Sequence, residues 1–301
     1  MIKSIKEIPV NNVLTGGTSA CAGCASLIAL KLILKVLGED TIICNPASCS
    51  TLFAMYPHSP FDCSWIHSAF ENMGSTASGI RHSLDAQGIK DTNVLVYAGD
   101  GSCYDIGFQA LSFAALNNEN IIYVCYNNAG YSNTGFQWST ATPYGADTKT
   151  QPRGVNAPLA NHKEPKDMIK IMASHGKHMH VSTANVSYPV DLINKIERAK
   201  NYTGFSYIEV LIPCCTGWGF ESSQTISIGR EADQTGSWPL LEIEDRILTL
   251  NKKYNNLKPI DNYVKIQGRY KALPEDGIKE LQKLTIDRMI ELKERNGKVY
   301  V

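Results

Sequence analysis

Two stretches, Asn93-Val-Leu-Val-Tyr-Ala-Gly-Asp-Gly-Ser102 and Ile121-Ile-Tyr-Val-Cys-Tyr-Asn-Asn128, frame a single structural unit. Residues 93–97 read as a buried strand that stops just before a glycine, 106–117 as a helix, and 121–126 as the next strand. Strand, loop, helix and strand in that order make a parallel unit, whose ligands sit beyond the carboxyl ends of the strands. Both strand ends here carry oxygen: Asp100 a carboxylate, Asn128 a carboxamide carbonyl. Oxygen donors of this kind suit a hard dication such as magnesium, which usually shares them with phosphate groups. Glycines on either side of Asp100 let the backbone approach a diphosphate, and the N-terminus of the following helix favours its negative charge.

The alternation continues outward. Residues 25–37 form an apolar helical face with Lys31 and Lys35 on a solvated edge, and 41–44 read as a short strand. Residues 75–84, 168–175 and 189–199 read as helices and 206–212 as another buried strand. Alternating strands and helices predict an α/β architecture with a doubly wound, mainly parallel sheet. No repeat or linker divides the chain. Its character changes after Thr225, which predicts one domain over 1–225 and a C-terminal extension over 226–301 that closes with a helix at 277–293.

The 301 residues carry 29 basic and 29 acidic side chains, 43% hydrophobic residues and nine cysteines. Zero net charge points away from nucleic acid and anionic membranes as partners. The N-terminal residues lack a secretory h-region, and the longest apolar run, 25–37, falls short of the roughly 20 residues of a membrane span. The expected location is the cytoplasm, where thiols stay reduced.

Cys21 and Cys24 form a CxxC before the first helix, and the pair alone is equally consistent with zinc, redox chemistry or inert thiols. Cys49 follows a strand and a turn, and Cys214 follows the strand over 206–212. Four cysteines on dispersed loops match the ligand count of a [4Fe–4S] cluster. Cys215, next to Cys214, is expected to be structural, and Cys44, Cys63, Cys103 and Cys125 inert.

A lone Gly-Asp-Gly is an ordinary turn. Joined to Asn-Asn at the end of the next strand, it resembles the thiamine diphosphate motif, in which the aspartate, the second asparagine and a backbone carbonyl two residues on bind the metal. Here these are Asp100, Asn128 and Gly130. With CAGC, GDGSCYDIG, NNAGYSNTGFQWSTATPYGA, PCCTGW and GRYKAL in order, nearly the whole chain resembles the beta (thiamine-binding) subunit of 2-oxoacid:ferredoxin oxidoreductases, nearest the pyruvate synthase type. The resemblance implies the thiamine diphosphate-binding fold, with Mg2+, thiamine diphosphate and a [4Fe–4S] cluster as cofactors. The cluster ligands would be Cys21, Cys24, Cys49 and Cys214. Cys49, Gly99, Asp100, Gly101, Ser102, Asn128, Gly130, Tyr131 and Asn133 would line the thiamine cofactor, Asn133 facing the substrate carbon.

It also implies oxidative decarboxylation of pyruvate to acetyl-CoA and CO2, or the reverse, with ferredoxin as electron partner. Other subunits would activate the pyrimidine, bind coenzyme A and pass electrons on, so the chain would work only in a complex. Alternatives are the same chemistry on another 2-oxoacid, oxalate first, a non-redox thiamine decarboxylase or synthase, and a zinc-stabilised structural subunit. Three positions depart from the family pattern: Ser26, Ser48 and the bulky Phe136-Gln137-Trp138. His67 and Glu71 could approach the cofactor, or belong to an ordinary capped helix.

Overall fold

Side chains that alternate along a strand must face two different layers, and β3 (Asn93–Gly99) shows both. Leu95 and Tyr97 join one apolar cluster, and Val94, Val96 and Ala98 join the other. In the computed structural model, which describes residues 1–155 and 157–301, helices accordingly cover both faces of one sheet.

In chain order the elements are α1 (Ala25–Leu37), β1 (Thr41–Pro46), β2 (Ser64–Ser68), α2 (Met73–Ala86), β3, a π-helical turn (Gly101–Ile106), α3 (Phe108–Leu116) and β4 (Ile122–Asn127). There follow α4 (Met168–Ala173), β5 (His180–Asn185), α5 (Pro189–Asn201), β6 (Ser206–Leu211) and α6 (Cys215–Trp218). The chain ends with α7 (Thr225–Gln234), β7 (Leu241–Glu244), β8 (Ile247–Leu250), α8 (Asp261–Val264) and α9 (Glu275–Arg295). The sheet runs β2-β1-β3-β4-β6-β5-β7-β8. Its first six strands are parallel, and β7 and β8 add an antiparallel edge. The doubly wound, mainly parallel α/β sheet expected from the alternation is the observed one.

α1 and α5 cover one face. Leu30, Ile33, Leu34 and Leu37 of α1 are 2% exposed or less, and burying each stabilises the fold by about 1.5–3 kcal/mol. α2, α3, α4 and α9 cover the other, around Val96, Cys125, Val181 and Tyr207. A third cluster around Trp218 and Tyr263 gathers α6, α7 and α8 beneath the start of α9.

Four strands were not foreseen. β5 reads HVSTAN, yet every residue in it is buried. Its polar side chains are used locally: Thr183 Oγ1 donates to the Pro239 carbonyl at 2.6 Å, and Asn185 Nδ2 to that of Gly229 at 2.7 Å. β2 is a half-exposed edge strand, and it carries His67, for which a helix was one expectation. β7 and β8 attach the tail to the same sheet, β7 pairing with β5. Among the described residues no helix is long and apolar enough to cross a membrane.

Candidate functional site at the ends of β3 and β4

Parallel pairing sets Gly99 beside Tyr126, so the chain leaves β3 and β4 at the same edge. Asp100 is fully buried there. Its Oδ1 accepts from the Asn128 backbone N–H at 3.2 Å and its Oδ2 from Ser139 Oγ at 2.5 Å. Burial pushes the carboxyl up to about 7, against the pull of those two donors. Such a carboxylate lacks a counter-charge.

The Asn128 carboxamide oxygen lies 2.9 Å from Asp100 Oδ1 and 2.8 Å from the Gly130 carbonyl oxygen. Three acceptors so close repel one another unless the amide turns its NH2 inward or a cation stands among them. Octahedral magnesium at 2.0–2.1 Å from each oxygen gives edges of about 2.9 Å. The donor set, a carboxylate, a carboxamide and a backbone carbonyl, therefore suits magnesium when the amide turns its oxygen inward.

The backbone at this point is specialised. Ala129 takes a positive φ of 62°, which costs on the order of 1 kcal/mol or more, and its N–H is held by Asn127 Oδ1 at 2.9 Å. A Cβ on Gly101 would stand 2.4 Å from the Tyr131 ring, and one on Gly130 2.9 Å from the Gln137 carbonyl. Both positions need glycine because neighbours approach so closely. Ser102 donates to the Phe70 carbonyl at 2.6 Å. Tyr131 Oη donates to Asp105 Oδ2 at 2.9 Å, and Asn133 is exposed beside them.

The cysteines are all free. Cys49 opens a short 3-10 turn after β1. Its thiol is pushed up to about 12, by burial first and then by repulsion from Cys214, Cys24, Cys21 and Asp100. The structure thus brings the CxxC, Cys49 and Cys214 into one neighbourhood that borders Asp100. Cys214 caps α6, its Sγ accepting from Gly217 N–H at 3.3 Å, and burial pushes it up to about 11. Cys215 Sγ donates to the Ala22 carbonyl at 3.5 Å inside the CxxC loop, and its thiol also stands near Cys24 and Cys214. Among the described residues, no three His, Cys, Asp or Glu side chains converge as they would around a single ion. Cys44, Cys103 and Cys125 are buried in the core and Cys63 is half-buried.

Several supporting residues escaped the sequence reading. Ser139 holds Asp100, and Asp105 accepts from Tyr131 and from Thr140. Trp218 Nε1 donates to the Asn128 carbonyl at 2.8 Å, and Arg269 stacks 3.7 Å above the Trp218 ring. All lie in quoted motifs, but no spacing rule assigns them a role. His67 Nε2 meets Thr51 Oγ1 at 3.0 Å, and both His67 and Glu71 are exposed. The bulk of Phe136 is directed inward: it is 7% exposed and packs against Gly130 and Gly217.

Residues 44–210 match the family described as the thiamine pyrophosphate enzyme C-terminal TPP-binding domain. The chain is 42% identical over 271 residues to "Pyruvate synthase subunit PorB" of Methanothermobacter thermautotrophicus, spanning 90% of this chain and 93% of that one. The chain belongs to the beta subunits of 2-oxoacid:ferredoxin oxidoreductases. This beta subunit is also 37% identical over 300 residues to "Ketoisovalerate oxidoreductase subunit VorB" of Pyrococcus furiosus, covering 97% and 96% of the two chains. A solved structure, the 2-oxoglutarate:ferredoxin oxidoreductase from Magnetococcus marinus, superposes with a TM-score of 0.58 at 24% identity. That match covers 71% of the beta subunit and 70% of the other chain, and it shows the shared fold. The subunit is part of an enzyme, and the site lies within its thiamine diphosphate-binding domain.

Proposed function

We propose that this beta subunit carries thiamine diphosphate, Mg2+ and a [4Fe–4S] cluster in a complex that oxidatively decarboxylates pyruvate, or runs the reverse. The observation that carries the reading is Cys49, whose thiol is repelled both by Asp100 and by Cys214, Cys24 and Cys21. Thiols and dication cradle therefore adjoin, as electron transfer from one to the other requires. A cubane several ångströms across takes thiolates at its corners, farther apart than the ligands of a single ion, which accords with thiols that are neighbours without converging. When bound, thiamine diphosphate supplies a carbon nucleophile and an electron sink for loss of CO2, and the cluster supplies one-electron transfer.

The chain's own residues do the rest. Asp100, Asn128 and the Gly130 carbonyl would hold Mg2+. Gly99 to Ser102 and Tyr131 would line the diphosphate, and Asn133 would face the substrate carbon. Cys21, Cys24, Cys49 and Cys214 would be the cluster ligands. The buried glutamate nearest the cradle, Glu209, is engaged by Asn127 and Tyr104 on the far side of Asn127, and the family resemblance assigns the pyrimidine-activating glutamate to another subunit. That supports partners that supply the group, along with sites for coenzyme A and ferredoxin. Pyruvate is favoured by the pyruvate synthase relatives.

The test is anaerobic purification of the co-expressed complex. About four irons and four acid-labile sulfides per beta subunit are expected, with pyruvate-dependent reduction of ferredoxin or a viologen. Zinc or no metal in the beta subunit would overturn the cluster, and turnover of only oxalate or ketoisovalerate would overturn the substrate.

A further inference from the structure

A cavity of about 150 Å³ lies between the carboxyl ends of β4 and β6 and the helix α9. None of the residues assigned above to the thiamine or thiol sites lines it. Its floor is Glu209 of β6, 2% exposed. Glu209 Oε1 accepts from Asn127 Nδ2 at 2.7 Å and from Tyr104 Oη, whereas Oε2 has no hydrogen-bond partner among the described residues. Burial pushes this carboxyl up to about 7, against Tyr104, Asn127 and Arg288 and with the help of Asp167. In its protonated form the unpartnered Oε2 can donate.

Arg288 enters the same cavity from α9. Its guanidinium makes no hydrogen bond among the described residues, and it approaches Asp167 Oδ1 only to 3.8 Å. Arg288 and Glu209 influence each other's charge, yet they form no ion pair: space separates them. Leu211, Ile169, Trp238 and Leu284 supply apolar wall.

We infer that this cavity binds a small monocarboxylate with an apolar body, its carboxylate bridging Arg288 and Glu209 Oε2. A guanidinium is a two-pronged donor matched to a carboxylate, and a neutral carboxyl adds a third donor to the same group. Arg288 makes only the long 3.8 Å ion pair with Asp167, and Glu209 Oε2 has no partner among the described residues, so each keeps donor capacity for a ligand. The volume is that of cavities which take a benzene-sized body, so the ligand has roughly six to nine non-hydrogen atoms. The polar floor passes directly into the thiamine cradle, because Asn127 holds Glu209 with its amide nitrogen and the Ala129 backbone with its amide oxygen.

The experiment is ligand-observed saturation-transfer NMR on the intact complex, with benzoate and 3-methylbutanoate as probes and benzamide as the uncharged control. Neither acid is a 2-oxoacid, so substrate turnover does not enter. Saturable binding of the acids is expected, with tenfold or greater weakening for Arg288→Met and for benzamide. Leu284→Trp, which fills the cavity from α9 and leaves both polar groups in place, should abolish binding at an unchanged melting temperature. Absence of saturable binding, equal binding of benzamide, or binding untouched by Leu284→Trp would each overturn the site. Displacement of the probes by pyruvate with Arg288→Met silent would assign them to the thiamine site and overturn it as well.

Discussion

The indole nitrogen of Trp218 donates to the backbone carbonyl of Asn128 across 2.8 Å and 90 residues of sequence. Through this bond the loop that carries Cys214 and the loop that carries Asn128 act as one wall. Arg269 stacks over one face of the indole, so the tryptophan is held at its edge and over that face.

Trp218→Phe removes the donor and keeps most of the ring. A buried carbonyl left without its partner costs about 1–3 kcal/mol, and weakened stacking with Arg269 adds to that. We expect a lower melting temperature and at least tenfold weaker Mg2+-dependent thiamine diphosphate binding, read by calorimetry. Unchanged affinity would show that the Asn128 backbone holds its position without help.

The two neighbouring cysteines should separate cleanly. Both are half-buried, but Cys214 Sγ accepts from Gly217 N–H and stands close to Cys49, whereas Cys215 bonds the backbone of the CxxC loop. Cys214→Ser should lose most of the iron and the visible absorbance of the complex. Cys215→Ser should keep both. The opposite pattern would reverse the ligand assignment.

Gly101→Ala tests close approach. The added methyl would meet the Tyr131 ring at 2.4 Å, so the ring must move and its bond to Asp105 must break. We expect a folded protein with a circular dichroism spectrum like the parent's and thiamine diphosphate binding weakened by tenfold or more. Wild-type binding would mean that the ring yields freely.

Acid stability should depend on Glu242. Burial opposes its charge, but His180, Lys195 and Arg198 outweigh that and hold its carboxyl down at about 2; the Arg198 contact is 2.8 Å. A carboxyl lowered from 4.5 in the unfolded chain gives stability that is present above about pH 4.5 and lost as pH falls towards 2. Glu242→Gln should therefore destabilise the protein by on the order of 2 kcal/mol at pH 7. The difference should shrink steadily in denaturant titrations below pH 4.5. A constant difference across that range would show that packing, and not charge, is what Glu242 contributes.

The central unit could be read from sequence because its two signals are local. Apolar runs 93–97 and 121–126 announce strands, and Asp100 and Asn128 are recognisable by their distance from those strand ends. β5 was not legible, since HVSTAN buries its polar groups against the carbonyls of Pro239 and Gly229, partners no window of sequence contains. The same holds at the site. Ser139, Trp218 and Arg269 act on Asp100 and Asn128 from 39, 90 and more residues away, through single contacts that leave no periodic trace. The π-helical turn after Asp100 was likewise invisible. It begins five residues ahead of the expected helix because the chain turns straight out of β3.

The stack of Arg269 on Trp218 has a consequence for synthesis. A ribosome completes the strands of the cradle when β4 and β6 have emerged, yet the indole that braces Asn128 is not itself clamped until residue 269 follows. A nascent chain stalled or clipped between β6 and that arginine would thus lack the clamp that holds Trp218 against Asn128.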